Sequence, residues 1–223
     1  MINIDEWLNN YKQLVSTTFG SRVLFIGLQG SFGRGESTDS SDIDVALILD
    51  IVTVKDLNIY KTLIAKLPHR ERLCGFVSGK AELSAWCKHD LFQFYHDTIP
   101  ILGSLDDILP AITIEDARQA VQVGACNLYH ACSHNYLHGM DVAVLASLYK
   151  YAFFILQAKH FCDCGQYAKS HTALEKAVTG DDLSVLQLSN APSLITADKF
   201  ELHTALLLAW VSDLIIKDKE GDM

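Results

Sequence analysis

Gly30-Ser31-Phe32-Gly33-Arg34-Gly35-Glu36-Ser37-Thr38-Asp39-Ser40-Ser41-Asp42-Ile43-Asp44-Val45 lies between two apolar runs, and its reading decides the fold. Upstream, residues 22–29 are branched and apolar, the composition of a buried strand. Residues 30–41 are rich in Gly, Ser and Asp and predict a loop. Ser41-Asp42-Ile43-Asp44 then opens a second strand, Ile43–Leu49. On a strand, residues i and i+2 share a face about 7 Å apart. Asp42 and Asp44 therefore point one way while Ile43 points into the core. Two carboxylates so placed suit a hard cation such as Mg²⁺, which takes oxygen ligands at about 2.0–2.1 Å. At the loop's other end the first strand stops at Gly30-Ser31. A helical turn beginning there presents free backbone N–H groups to an anion. Gly30 and Gly33 let a phosphate approach the backbone, Ser31 adds a hydroxyl and Arg34 a positive charge. A polar hairpin turn accounts for the Gly and Ser residues, but not for two acids at the head of an apolar strand. No Gly-Lys-Ser/Thr follows, so the loop is not a P-loop, and the glycine spacing fails the dinucleotide fingerprint.

Working outward, Trp7, Leu8, Tyr11, Leu14 and Val15 recur at helical spacing over Ile4–Phe19. A helix is predicted over 54–67, closed by Pro68, then a strand over 73–78 and a short helix over 81–88. Residues 91–97 alternate as a strand opened by Asp90 and closed by Asp97, and 99–103 end this part of the chain. Beyond residue 110 the texture is helical. Thr113-Ile114-Glu115-Asp116 is a capping box, starting a helix that runs to about His138, with Gly139 placed to end it. Further helices are predicted over 141–164, 167–179, 183–188 and 197–217, the last with an apolar run at 206–210. Short connections between them predict an antiparallel bundle. The fold class expected is α+β: a small mixed β-sheet domain with flanking helices over 1–109, followed by an all-α helical bundle over 110–223.

Bulk composition narrows the function. The net charge is −9, with ten basic against fourteen acidic residues over 1–109 and eight against thirteen over 110–223. Nucleic-acid backbones are gripped mainly by Lys and Arg, and neither half offers a dense basic run, so no nucleic-acid partner is expected. An acidic surface keeps a protein soluble and draws a cationic molecule. The six cysteines include no CxxC pair and read as reduced, mostly core residues. Met1–Asn10 carries Asp5 and Glu6, unlike a signal peptide, and apolar runs such as 205–211 are too short to span a bilayer. A cytoplasmic protein without membrane contact is expected.

Gly-Ser, ten residues, then Asp-x-Asp resembles the nucleotidyltransferase signature of the polymerase-β superfamily. The resemblance implies transfer of a nucleoside monophosphate from ATP or another nucleoside triphosphate. Asp42 and Asp44 would hold Mg²⁺, and Gly30, Ser31, Arg34 and Ser41 would line the nucleotide. Two ions about 3.5–4 Å apart clamp the attacking and leaving oxygens in such reactions. A third carboxylate from a later strand completes the superfamily's metal site and is the natural general base. Asp90 is favoured for it, ahead of Asp97, Glu82 and Glu71.

The layout, a minimal catalytic domain followed by a bundle, is similar to the aminoglycoside nucleotidyltransferases. That similarity implies a small-molecule acceptor, with Lys150 as the bundle's candidate ligand for the triphosphate, and it allows a homodimer. Two other readings stand: a protein-nucleotidylating enzyme of the antitoxin type, and a non-catalytic nucleotide-binding regulator, which a missing third acid would favour. His130, His134 and His138 recur at i, i+4 and i+8 on one helix face. They are read as a polar face of the bundle, while Cys126 and Cys132 on the same helix keep a zinc site open.

Overall fold

The two apolar runs that flank the Gly/Ser/Asp-rich loop become neighbouring antiparallel strands, β1 (Val23–Gln29) and β2 (Ile43–Leu49), with Gln29 opposite Asp44. The computed structural model describes residues 2–220. β3 (Leu73–Gly79) lies parallel to β2 and β4 (Ile99–Leu102) antiparallel to β1, giving one mixed sheet in the order β3-β2-β1-β4. The helices are α1 (Ile4–Phe19), α2 (Gly30–Arg34), α3 (Val54–Ile64), α4 (Lys80–Ser84), α5 (Lys88–Asp97), α6 (Ile114–His134), α7 (Val142–Cys164), α8 (His171–Glu175), α9 (Gly180–Asn190) and α10 (Phe200–Glu220). This is the α+β architecture expected. The chain divides into two compact units, Met1–Cys87 with Phe94–Ala111, and Lys88–Gln93 with Ile112–Met223.

In the sheet unit, α1 buries Trp7, Leu8, Tyr11, Val15 and Phe19 on one stripe, in a cluster with Ile26, Val45 and Leu47 from the sheet and Tyr60, Leu63 and Ile64 from α3. Tyr11 and Tyr60, buried from water, satisfy each other's hydroxyls at 3.0 Å. Every residue of β2 from Val45 to Leu49 is buried, so the strand that carries the two acids is fixed by apolar contacts along its length. At its far end Arg22 pairs with the buried Asp56 at 2.7 Å, and Asp56 closes a capping box with Thr53 at the start of α3. That pairing, with hydrogen bonds from Arg22 and then Thr53, holds the Asp56 carboxyl well below the usual carboxylate range.

One expectation fails over residues 91–97, which divide between the two units after Gln93. Residues 91–97 form the helix α5, not a strand, and the strand follows it at Ile99–Leu102. Leu91-Phe92-Gln93-Phe94-Tyr95-His96 contains no β-branched residue, whereas Ile99 and Ile101 do. Leu91, Phe92 and Phe94 are buried at a spacing that one helix face accommodates as well as a strand does.

In the helical unit, Thr113 and Asp116 form the capping box of α6. α6 and α7 cross closely at Gly124, where a Cβ would meet Ile155 Cγ1 at 2.9 Å. α7 is long and apolar enough, by length and composition, to cross a membrane. Here it is a core helix that buries Leu145, Tyr149, Ala152, Phe153, Ile155 and Leu156. α6 ends at His134 and passes into a π-helical turn, Asn135–Gly139. The helix expected over 167–179 shrinks to α8, because the Ser170 side chain accepts from Ala173 N–H and starts the helix there. Gly180 begins α9 instead of closing the segment before it.

Candidate active site

β1 ends at Gln29, and Gly30 turns the chain with φ of +64° into the short helix α2. Gly30 is confined twice over. Its backbone is left-handed, and a Cβ there would meet Asp44 Oδ2 at 1.9 Å. The Asp44 carboxylate thus lies directly over the Gly30 backbone. Gly35, also left-handed, closes α2 by donating its N–H to Phe32 and Ser31 carbonyls. Glu36 N–H then donates to Ser31 O at 2.8 Å.

Residues 38–41 make a tight turn. Thr38 N–H donates to Ser41 Oγ at 2.8 Å and Ser41 N–H to Thr38 O at 3.1 Å. From the next strand's approach, Arg72 donates through Nε to Ser41 O at 2.9 Å and through Nη2 to both Ser41 O and Thr38 O. Ser41 therefore works inside the loop, where it fixes the entry into β2. Asp42 is exposed, Ile43 fully buried and Asp44 half-buried. Burial, and next the negative charge of Asp42, push the Asp44 carboxyl above its ordinary range; Arg34 and the Cys74 thiol act the other way. A half-buried carboxylate beside a second acid fits a divalent cation, because a cation between them removes the repulsion felt by Asp44. Asp42 and Asp44 are the residues of this unit that would hold it.

Arg34 sits at the end of α2 with its side chain nearly buried. Its Nη1 donates to Asp97 Oδ2 at 2.9 Å, and its Nε lies 3.4 Å from Glu36. Asp97 is buried at the C-terminal end of α5 and braces α2. Gln29 and Thr98 add a hydrogen bond of 2.7 Å between the β1 end and the start of β4.

No protein-family model and no curated protein matches the chain. Among solved structures it is similar to spectinomycin adenyltransferase AAD(9) from Enterococcus faecialis, solved with ATP and spectinomycin. The TM-score is 0.58 over 93% of this chain and 99% of that chain, at 14% sequence identity. The two chains share a fold. Identity this low carries the fold and leaves the activity to be argued from the residues.

Within this fold the sequence reading missed one neighbour of the acids. β2 and β3 run parallel with Asp44 abreast of Cys74. The Cys74 thiol donates to the Asp44 carboxylate, and burial with the charges of Asp44 and Asp42 pushes its own pKa up. No carboxylate lies on β3. Of the four candidates for a third carboxylate, Asp97 is engaged by Arg34. Glu82 folds over Gly79 at the far end of β3, and Glu71 is exposed in the 3-10 turn before β3. Asp90 does not open a strand, as the reading of 91–97 required. It lies in the first turn of α5, in the helical unit, with its Oδ1 3.7 Å from His89 Nε2. Lys150 is exposed on α7 in that same unit.

Proposed function

We propose that the chain is a divalent-metal-dependent nucleotidyltransferase that moves AMP from ATP to a hydroxyl of a small cationic acceptor. The observation that carries this reading is the pair Asp42 and Asp44 at the head of β2, with the Asp44 carboxylate over the Gly30 turn. In this reading Gly30 lets the phosphates approach the backbone and Ser31 donates its hydroxyl. Arg34 contributes positive charge while holding α2 in place, and Ser41 sets the entry of β2. Lys150 is assigned to the triphosphate on the layout of the family that the chain resembles. A bound divalent cation supplies charge neutralisation at the phosphate oxygens. The acceptor hydroxyl gives up its proton to a general base, for which Asp90 is the candidate, as its oxygen bonds the α-phosphorus, and pyrophosphate leaves.

AAD(9) was solved with ATP and spectinomycin, so aminoglycoside-like amines are the first acceptors to test. The acid excess in both halves of the chain favours a cationic acceptor. The six cysteines are free thiols, as suits the reducing cytoplasm. One observation favours a second reading, a non-catalytic nucleotide-binding regulator: the place abreast of Asp44 on β3 holds Cys74 and not an acid.

Pyrophosphate release from ATP and Mg²⁺, measured across a panel of hydroxylated amines, tests the first reading against the second. Acceptor-dependent release supports the transferase, and its absence with intact ATP binding supports the regulator. The same assay on Asp90→Asn tests Asp90 as third carboxylate and general base. Normal ATP binding with turnover lowered roughly 10²-fold or more, in the range of general-base loss, supports that assignment. Unchanged turnover removes Asp90 from the site.

A further inference from the structure

The proposed transfer chemistry leaves the histidine face of the helical unit without a role. His130, His134 and His138 stand on successive turns of α6 and of the π-helical turn that ends it, and all three are exposed. The ring centroids of His130 and His134 are 6.2 Å apart, and those of His134 and His138 are 4.7 Å apart. With metal–nitrogen bonds of about 2.0–2.1 Å, two imidazoles on one tetrahedral ion have ring centroids about 5 Å apart. His134 and His138 already have close to that spacing, and His130 follows one turn away. Among the described residues, none of the three rings has a hydrogen-bond or ion-pair partner, so the fold gives them no other task.

The backbone beneath them is fixed and strained. Asn135 is buried and exchanges two hydrogen bonds with the Asp141 backbone, Nδ2 to O at 3.0 Å and N–H to Oδ1 at 3.1 Å. Met140 is held left-handed at φ of 46°, one of two such non-glycine residues among those described. A Cβ on Gly139 would meet Asn135 Oδ1 at 2.8 Å. π-Helical turns and left-handed non-glycine residues cost energy and concentrate at functional sites. The histidines, Asn135, Asp141 and Val144 line a surface concavity of about 570 Å³. The Asp141 Oδ1 accepts from Ala143 and Val144 N–H as the cap of α7. The three histidines make imidazole the predominant donor lining the concavity. Imidazole selects borderline first-row cations such as zinc, nickel and copper(II), not the oxygen-preferring magnesium or calcium.

We propose that the pair His134 and His138 binds one such cation at the α6–α7 corner, in a site that uses neither Asp42 nor Asp44. The test is calorimetric titration of the metal-stripped chain with Zn²⁺ and with Ni²⁺ at neutral pH, in parallel with His130→Ala, His134→Ala and His138→Ala. The substituted side chains are exposed, and circular dichroism verifies that each variant keeps the fold. The expected result is a one-to-one site of micromolar affinity, weakened roughly tenfold or more in His134→Ala and in His138→Ala and less in His130→Ala, with no response to Mg²⁺. Asp42→Asn leaves this binding unchanged, so failure here and failure of the transferase reading are separable. Absence of micromolar binding overturns the proposal. So does affinity that survives both the His134→Ala and the His138→Ala change, which would place the ion at another thiol or imidazole, such as the His160–Cys164 pair.

Discussion

Asp44→Asn lowers nucleotidyl transfer by roughly 10³-fold or more and leaves the melting temperature unchanged or raised. The loss follows from the charge the carboxylate brings to the cation, and it matches or exceeds that for deleting one preorganised electrostatic group in an active site. The stability half of the expectation follows from the same geometry. Burial and the neighbouring charge of Asp42 raise the Asp44 pKa above that of the unfolded chain. A raised folded-state pKa contributes stability at pH below the unfolded value, and that contribution disappears as pH rises through the raised value. At neutral pH the ionised Asp44 is therefore a cost to the metal-free fold, and an uncharged Asn of the same shape lifts it. Steady-state turnover and thermal melts at pH 7 check both halves. A variant that retains turnover, or that melts well below the wild type, contradicts the assignment of Asp44 as a residue held at a cost for function.

Gly30→Ala is expected to abolish measurable transfer while the chain keeps its fold. An L-residue at this backbone conformation costs about 1–2 kcal/mol. The added methyl would also stand 1.9 Å from Asp44 Oδ2, so the carboxylate must move. Both effects fall on the turn that faces the acids, and the buried body of β2 lies further along the strand. Turnover therefore falls more than stability does. Far-UV circular dichroism with a turnover assay separates the two. Near-normal turnover in this variant would mean that the Asp44 carboxylate need not lie over the turn for the chemistry.

The legible part of the site was the part encoded locally. The i, i+2 spacing of Asp42 and Asp44 on a strand with Ile43 facing inward needs only strand periodicity. The Gly30 turn needs only the break from an apolar run to Gly-Ser. What the sequence hid was long-range. Cys74 meets Asp44 through the register of β2 with β3, thirty residues on, and nothing local to Leu73–Gly79 marks its first turn outward. Ser41, expected to line the nucleotide, also has its hydroxyl and carbonyl engaged within the 38–41 turn and by Arg72, a partner that proximity in sequence does not indicate. The α5 segment was ambiguous for a different reason, since Leu91, Phe92, Phe94 and Tyr95 satisfy either period and the absence of β-branching was the discriminating cue. That misreading placed Asp90 at a strand mouth, whereas it lies in the first turn of α5, in the part of that helix that belongs to the other unit.

The central claim is that Asp42 and Asp44 hold a cation that receives a nucleoside triphosphate. Titration calorimetry with a non-hydrolysable ATP analogue, with and without Mg²⁺, on the wild type and on Asp42→Asn/Asp44→Asn, tests it most directly. The expected result is binding that requires Mg²⁺ and disappears in the double variant. Equal binding without Mg²⁺, or binding that survives the double substitution, contradicts it.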